Sequence, residues 1–340
     1  MKAAVIERYD APLVVRDVEK PVIGPEEVLV RVRACGLCGT DLKIHSGKFS
    51  RISIPITPGH EIAGEVYEVG DQVEKVKVGD RVVVHIYLTC GQCRYCRAGR
   101  DTLCQSLRGQ IGFTVNGGMA EFVKVPAANV LPIGRTIPFF QAATLPDAVA
   151  TAYHALCNRV TIKKGEILIV VGAGGVGLHA IQVAKALGAK VLAVDVKDNH
   201  LEKAVELGAD VALNPDRDDI PKAIEREGGK GGAEWVMDVV GQPETLDKDL
   251  SWLCPGGKLI VVGYNLTRPF SVFPQMVVSR ELEVIGCRGM TRQDLADVIA
   301  WVEEGKIIPV VDEVLPLREV NEAYERIRSG RVLGRLVLEP

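Results

Sequence analysis

Hydrophobic and polar positions follow two different patterns along the chain. Up to about residue 145, short runs such as Val28–Arg33, Ile62–Val69 and Arg81–Ile86 alternate or are rich in β-branched residues. Gly79-Asp80 marks a turn between the last two runs. Runs of this length and spacing predict a compact, mostly β domain with loops.

From about residue 149, strand-like apolar runs alternate with amphipathic helical segments. The predicted strands are 167–171, 191–194, 211–213, 235–240, 258–262 and 282–286, and the predicted helices are 176–187, 199–207, 219–226 and 243–253. This βαβ series predicts an α/β fold with a doubly wound parallel sheet. Helices at 292–303 and 318–328 and a strand at 332–338 follow, and we expect this tail to return to the first domain. The predicted domains are therefore 1–148 with 286–340, and 149–285.

One stretch joins an apolar strand, a glycine cluster and the start of a helix. Ile167–Val171 runs directly into Gly172-Ala-Gly-Gly-Val-Gly177, and a helical pattern begins at Val176. In this context the glycines form a dinucleotide-binding fingerprint. Gly172 permits a tight turn, Gly174 lets the backbone approach a pyrophosphate, and Gly177 lets the helix pack close to the strand. The predicted cofactor-binding residues of this loop are Gly172, Gly174, Gly175, Val176 and Gly177. The alternative is an α/β turn without a ligand.

Asp195 closes the next predicted strand, about where a ribose-binding carboxylate is expected. A carboxylate there hydrogen-bonds a ribose 2′-hydroxyl and repels a 2′-phosphate, so we predict NAD(H) rather than NADP(H). No arginine follows Asp195 immediately, and Lys197 is the nearby cation that would suit NADP(H).

Charge and composition exclude several classes of protein. The net charge of −3 over 340 residues gives no reason to expect nucleic acid or an anionic membrane as a partner. No apolar run approaches the roughly 20 residues of a membrane span. The N-terminus lacks the long apolar segment of a signal peptide. We therefore expect a cytoplasmic protein.

Four of the nine cysteines are tightly clustered at Cys90, Cys93, Cys96 and Cys104. In a chain with no export signal, such spacing indicates metal ligation rather than disulfides. Four thiolates close a tetrahedron around zinc with no open position, which is typical of a structural site. A zinc ribbon that binds nucleic acid is the alternative, and the acidic balance argues against it.

A second set of candidate ligands lies in Gly36-Leu-Cys38-Gly-Thr40-Asp41 and Gly59-His60-Glu61. Together with the four-cysteine segment and the fingerprint, in this order, they make the chain resemble the zinc-dependent medium-chain dehydrogenase/reductase family of the alcohol dehydrogenase type. The resemblance covers essentially the whole chain. It implies a GroES-like catalytic domain, with a structural zinc lobe at about 88–106, and a Rossmann dinucleotide-binding domain. It also implies that Cys38 and His60 hold a catalytic zinc, with Glu61 as a neighbouring or transient ligand.

The third zinc ligand departs from the family pattern. The family places a cysteine shortly before a T-x-Y segment, here Thr151-Ala-Tyr153, and the matching position holds Asp147. Aspartate ligates zinc at about the same distance as histidine, and one thiolate plus one carboxylate carries the same charge as two thiolates. We therefore expect Cys38, His60 and Asp147 as ligands. Cys157 is the rival ligand, and a helix cap after Pro146 is the alternative role for Asp147.

The proton relay also departs from the family pattern. The resemblance implies that the hydroxyl of Thr40 relays the alcohol proton, and the usual relay histidine is replaced by Lys43. His45 lies two residues further on, and we interpret it as a surface histidine. Lys43, His45 and water stay open as the end of the relay. The remaining histidines, His85, His154, His179 and His200, have no partner motif.

These observations predict an enzyme that transfers a hydride between NAD(H) and an alcohol, ketone or aldehyde, with two zinc ions per chain. By resemblance, Ile86, Tyr87, Leu88 and Ile111 line the substrate pocket and favour a hydrophobic substrate. The alternatives are a polyol or CoA-linked cyclic alcohol dehydrogenase, a zinc-free quinone or enoyl reductase of the same superfamily, and a non-enzymatic binding protein. Family members associate through the edge of the nucleotide sheet, so we expect a homotetramer, with a dimer as the alternative.

Overall fold

The structure is a computed structural model that describes residues 1–49 and 51–340. These residues form two compact units. Unit 1 comprises Met1–Ala150, Met290–Gly305 and Pro309–Pro340, and unit 2 comprises Thr151–Gly289 and Lys306–Ile308. Within the described ranges, no helix is both long enough and apolar enough to cross a membrane.

The strands, numbered in chain order, are β1 (Lys2–Val5), β2 (Val14–Asp17), β3 (Glu27–Leu37), β4 (Glu61–Val69), β5 (Arg81–Val84), β6 (Tyr87–Leu88), β7 (Gly109–Gln110), β8 (Phe122–Pro126), β9 (Val130–Pro132), β10 (Ile167–Val171), β11 (Lys190–Val194), β12 (Val211–Leu213), β13 (Ala233–Asp238), β14 (Leu253–Val261), β15 (Glu283–Gly286), β16 (Val311–Pro316) and β17 (Arg335–Glu339). The α-helices are α1 (Gly39–His45), α2 (Arg94–Arg97), α3 (Phe139–Ala142), α4 (Ala150–Tyr153), α5 (Gly175–Ala186), α6 (Asp198–Glu206), α7 (Ile220–Arg226), α8 (Pro243–Ser251), α9 (Pro274–Arg280), α10 (Arg292–Glu303) and α11 (Val320–Arg328).

Unit 1 is built on a seven-stranded sheet in the order β16-β17-β3-β4-β5-β9, with β8 also paired to β3. The long strand β3 is central, and its apolar side chains pack in a core with those of β4, β5 and β17. The C-terminal strand β17 pairs antiparallel with β3, so that Leu336 lies opposite Leu37. This pairing brings the end of the chain next to the segment that begins at Cys38.

Unit 2 holds a six-stranded parallel sheet in the order β12-β11-β10-β13-β14-β15. All five residues of β10 are buried, which is expected for a central parallel strand with both faces covered. The order reverses at β10, between the β11 and β13 neighbours, and ligands bind at such a switch point. The predicted fold class, a mostly β domain with a doubly wound Rossmann sheet, is confirmed.

The bounds of several strands differ from the predictions, among them those of β5 and β14. β5 ends at Val84 rather than Ile86. β14 begins at Leu253 rather than 258, because the pairing with β13 continues through the bulge formed by Pro255-Gly256-Gly257. Proline and glycine normally indicate a turn, and here they form a bulge inside a strand.

Candidate active site and metal centres

Cys38 lies at the junction of β3 and α1 and caps the N-terminus of the helix. Its Sγ accepts a hydrogen bond from the backbone N–H of Thr40 at 3.5 Å. The carboxylate of Asp41 accepts one in return from the N–H of Cys38, at 2.8 Å. This arrangement is a capping box with cysteine in the place usually held by serine or threonine. It fixes the thiol and the hydroxyl-bearing Thr40 in one turn of backbone.

Asp41 also lies beside His60. The Oδ1 atom of Asp41, which is fully buried, lies 3.2 Å from Nδ1 of His60. The other ring nitrogen, Nε2, lies 3.7 Å from Oδ2 of Asp147. Burial alone would lower the pKa of His60, but Asp41 and Asp147 outweigh it and raise the pKa well above its usual value. The surroundings of His60 therefore favour positive charge.

The carboxylate of Glu61 occupies space that only a glycine leaves free. Gly36 lies opposite Glu61 across the β3–β4 pair, and a Cβ on Gly36 would overlap Oε2 of Glu61. This Oε2 atom is buried and has no hydrogen-bond partner among the described residues. Burial raises the pKa of Glu61 to about 8, although Arg335 opposes the rise.

Asp147 lies in a wide, π-type helical turn, Leu145–Val149, and Thr144 rather than Asp147 holds the N-cap position of that turn. Turns of this type are frequent at functional sites. The Oδ2 atom of Asp147 accepts a hydrogen bond from Nη2 of Arg335 at 3.0 Å. Burial would raise the pKa of Asp147, but His60 and Arg335 hold it well below its usual range. Asp147 is therefore an ionised, inward-facing carboxylate.

Arg335, on β17, joins the acidic groups of this cluster. Its Nε donates to Oε1 of Glu61 at 2.8 Å, and its Nη2 lies 3.6 Å from Sγ of Cys38. Its side chain is only 8% exposed. The guanidinium is therefore a buried cation that faces two carboxylates and a thiol.

Cys38, His60, Glu61 and Asp147 offer donor atoms that all lie within 4.8 Å of one another. Two ligand atoms on a tetrahedral zinc ion are about 3.4 Å apart, close to the 3.7 Å between His60 and Asp147. The unpartnered oxygen of Glu61 supplies a further donor. A sulfur, an imidazole and carboxylates form a donor set that suits zinc. These residues therefore fit a zinc ion.

The four clustered cysteines converge in a loop that surrounds the short helix α2. The Sγ atoms of Cys93 and Cys96 are 3.5 Å apart, and those of Cys90 and Cys96 are 3.8 Å apart. Backbone N–H groups of Cys96 and Gln105 lower the pKa of Cys93 to about 6. The loop thus favours the thiolate of Cys93, whereas burial and the neighbouring cysteines raise the pKa of Cys96 to about 12. The four sulfurs lie close enough to share one metal ion.

The fingerprint loop in unit 2 has the geometry that its glycines predict. Gly172 has φ of 93°, in the left-handed region. A Cβ on Gly177 would overlap the carbonyl oxygen of Gly172, whereas one on Gly174 would meet open space. α5 begins directly after Gly174. The first N–H groups of this helix therefore have no acceptor within the helix and are available to a phosphate. Asp195 lies beside this loop, since its Oδ2 accepts a hydrogen bond from the N–H of Ala173 at 2.7 Å.

The structure also identifies contacts that the sequence did not reveal. Arg335 contacts Glu61 and Asp147, and Asp41 lies beside His60, so both residues adjoin the candidate metal ligands. His200 contacts Asp195, with Nδ1 3.3 Å from Oδ2. The interpretation of His45 as a surface residue is wrong. His45 is 5% exposed, its Nε2 lies 2.5 Å from the carbonyl oxygen of Ala11, and its ring packs edge-on against Tyr324. The spacing of ligand-type residues gave no signal for these contacts.

The parallel sheet with its glycine loop and the two donor clusters define a metal-binding, dinucleotide-dependent class of enzyme. Residues 24–135 match the family described as "Alcohol dehydrogenase GroES-like domain", and residues 175–304 match "Zinc-binding dehydrogenase". The chain therefore belongs to the zinc-binding alcohol dehydrogenase family.

Individual relatives resemble the chain over its full length. An alcohol dehydrogenase of Geobacillus stearothermophilus is 38% identical and covers 100% of this chain and 99% of its own. The NAD-dependent alcohol dehydrogenase of Sulfolobus acidocaldarius is 34% identical with the same coverage. The solved structure of the alcohol dehydrogenase of Aeropyrum pernix gives a TM-score of 0.93 at 34% identity and covers 100% of both chains.

Proposed function

We propose that the protein is a zinc-dependent alcohol dehydrogenase that transfers a hydride between NAD(H) and an alcohol, ketone or aldehyde. The observation that carries the proposal is the cluster of Cys38, His60, Glu61 and Asp147, whose donor atoms lie within 4.8 Å of one another. A zinc-free reductase has no need of such a cluster. The full-length relatives named alcohol dehydrogenase, one of them NAD-dependent, support the same activity.

We assign Cys38, His60 and Asp147 as ligands of the catalytic zinc, with Glu61 as a neighbouring or transient ligand. Cys90, Cys93, Cys96 and Cys104 are the proposed ligands of a second, structural zinc. When bound in the first site, zinc supplies a Lewis acid that lowers the pKa of an alcohol hydroxyl, and the nicotinamide of NAD⁺ accepts the hydride.

Residues around the proposed zinc site orient its ligands, balance their negative charge and transfer the proton of the alcohol. Asp41 keeps His60 in one orientation through its contact with Nδ1. Arg335 neutralises part of the negative charge of Glu61 and Asp147. We propose that Oγ1 of Thr40 accepts the proton of the alcohol and passes it outward. Lys43 is three residues further along α1 and so lies on the same helical face, which makes it the preferred end of the relay over His45.

Loss of the Thr40 hydroxyl tests this role directly. NAD⁺ reduction, followed by absorbance across a panel of linear, cyclic, aryl and polyol substrates, first establishes turnover. Thr40→Ala should then lower kcat about 100-fold, because general acid–base help of this kind contributes about 10²–10⁴-fold, and Thr40→Ser should restore it. Wild-type turnover in Thr40→Ala would refute the relay.

The assignment of Asp147 as a zinc ligand is tested by replacing its carboxylate with an amide. Asp147→Asn keeps the size of the side chain and removes its charge. We expect one of the two zinc ions to be lost on dialysis, together with activity. An Asp147→Asn protein that keeps full zinc and activity would remove Asp147 from the ligand set.

We propose a hydrophobic alcohol or ketone as the substrate. Ile86, Tyr87 and Ile111 are buried apolar residues, and Leu88 is partly buried. The ring of Phe113 packs against His60 with 4.8 Å between the ring centres, so apolar surface lies beside the proposed zinc ligand. Turnover confined to polyols in the substrate panel would contradict this choice.

We further propose a cytoplasmic homotetramer, with a dimer as the alternative. β15 is an edge strand of the parallel sheet, and α9, which precedes it, has no buried residue. Phe273 and Val278 are 68% and 76% exposed, and exposed apolar surface of this kind indicates an interface. Sedimentation should show the oligomer, and Val278→Glu should dissociate it. The proposed cytoplasmic location is supported by the free cysteines of the chain, because thiols stay reduced in that compartment.

The functional domains are proposed as 1–148 with 286–340, the catalytic domain, and 149–285, the cofactor domain. The boundaries of the two compact units, after Ala150 and Gly289, support this division.

A further inference from the structure

Two backbone N–H groups and one imidazole nitrogen contact the carboxylate of Asp195. Oδ2 accepts from the backbone of Ala173 at 2.7 Å and lies 3.3 Å from Nδ1 of His200. Oδ1 accepts from the backbone of Lys197 at 3.0 Å. An ionised carboxylate only accepts hydrogen bonds, so the proton of the imidazole lies on Nδ1 in this contact.

The other nitrogen of His200 supports this tautomer. Nε2 is buried and has no hydrogen-bond partner among the described residues. A buried N–H without a partner is costly, whereas in the Nδ1–H tautomer Nε2 carries only a lone pair. The imidazole, 5% exposed on α6, therefore has one directed polar contact that the structure describes, and this contact is with Asp195.

These contacts connect α6 to the fingerprint loop. Ala173 is the second residue of the loop, and Gly172 donates its N–H to the carbonyl oxygen of Val194, directly before Asp195. Burial opposes ionisation of Asp195, but hydrogen bonds from His200, Ala173 and Lys197 outweigh it and lower its pKa. Because Oδ2 already has two donors and Oδ1 has one, the capacity left for a ligand is on Oδ1.

We propose that His200 is a positioning residue that fixes the Asp195 carboxylate so that Oδ1 accepts from the adenosine ribose of NAD(H) and a 2′-phosphate is rejected. The inference rests on the proposed function, in which Asp195 binds this ribose. A fixed carboxylate discriminates because a hydroxyl donates to Oδ1, whereas a phosphate brings negative charge to a group that cannot turn away. Without His200, the carboxylate is held by the backbone N–H groups of Ala173 and Lys197 and loses its side-chain donor. Its orientation is then less firmly fixed, so that both the binding of the ribose and the rejection of the 2′-phosphate weaken.

Two amide variants separate the hydrogen bond from packing. In His200→Asn the amide nitrogen takes the place of Nδ1, so the bond to Asp195 is kept. In His200→Gln the amide nitrogen reaches the place of Nε2, so the bond is lost although the side chain stays polar. Glu202→Gln, at an exposed position of the same helix, is the matched control.

The measurement is the Kd of NADH and of NADPH, by cofactor fluorescence with the zinc-loaded full chain. His200→Gln should bind NADH about tenfold more weakly, because one hydrogen bond to a charged group has about this effect. The ratio of the Kd of NADPH to the Kd of NADH should be smaller in this variant than in wild type. KM for NAD⁺ should rise by the same factor, with kcat changed less than about twofold. His200→Asn should stay within about threefold of wild type in each Kd.

Equal affinities in His200→Gln and wild type would overturn the inference. Equal losses in His200→Asn and His200→Gln would also overturn it, because the effect would then come from packing. A wild-type protein that binds NADPH as tightly as NADH would instead refute the role proposed for Asp195, and the inference with it.

Discussion

Replacing Arg335 by methionine removes the cation of the candidate catalytic site while keeping an unbranched side chain of similar length. Arg335 donates to Glu61 at 2.8 Å and to Asp147 at 3.0 Å. Glu61 is fully buried, so water does not replace the lost partner. The variant therefore removes the guanidinium from beside two carboxylates and the thiol of Cys38 and leaves His60 as the neighbouring cation that the structure describes.

The size of the effect follows from this burial. Breaking a buried ion pair by removing one partner costs about 3–5 kcal/mol. For a unit of this size, each kcal/mol shifts the melting temperature by about 2–4 °C. Metal-free Arg335→Met should therefore melt about 6–20 °C below metal-free wild type. Zinc restores positive charge at the same donors, so adding zinc should raise the melting temperature of the variant more than that of wild type.

The assay is thermal unfolding after chelation and again after addition of zinc. Arg331→Met is the matched control, because Arg331 is exposed and its Nε donates to Oγ of Ser329. This control should change stability by no more than about 0.5 kcal/mol. A metal-free Arg335→Met protein that melts within about 2 °C of wild type would refute the idea that Arg335 stabilises the fold by pairing with Glu61 and Asp147.

Three further predictions concern other parts of the chain. Asp249 is buried beside Asp238, and burial raises its pKa to about 10. Stability should therefore fall as pH rises from about 4 towards 10, and Asp249→Asn should gain about 1–3 kcal/mol at pH 8 and nothing near pH 4, measured by thermal melts. Gly177→Ala forces a Cβ onto the carbonyl oxygen of Gly172 and should abolish measurable NADH binding, and binding of wild-type strength would contradict the close packing. Cys104→Ser should lower bound zinc from two ions to one per chain, measured by metal analysis, and unchanged zinc content would exclude it as a ligand.

Local patterns predicted those features of the fold that are themselves local. The strand at 167–171 was predicted correctly because five apolar residues followed by a glycine loop form one uninterrupted signal. The helix at 292–303 was also correct, since its capping box begins at Thr291. The start of β14 was missed because the bulge residues Pro255 and Gly256 resemble a turn until the partner strand is known.

Contacts between distant segments were not predictable in the same way. Arg335 lies 274 residues from Glu61 in the chain, and in sequence it is one polar residue within the predicted strand at 332–338. The pairing of β17 with β3 brings its guanidinium to the candidate zinc ligands. The burial of His45 likewise depends on α11, whose Tyr324 packs against its ring. The spacing of motifs in the sequence therefore predicted the candidate zinc ligands. The arginine that balances their charge could be found only from the pairing of distant strands.

The capping box at Cys38 has a consequence for how the metal is acquired. The sulfur holds the N-terminus of α1 through Thr40, and Asp41 closes the box and reaches His60, all by contacts within the chain. Zinc fingers unfold when their metal is removed, whereas this segment has hydrogen bonds of its own to keep its shape. In the proposed site, a zinc ion would therefore bind to a segment that already has its shape. It would leave, return or be exchanged for another divalent metal without unfolding and refolding of this segment.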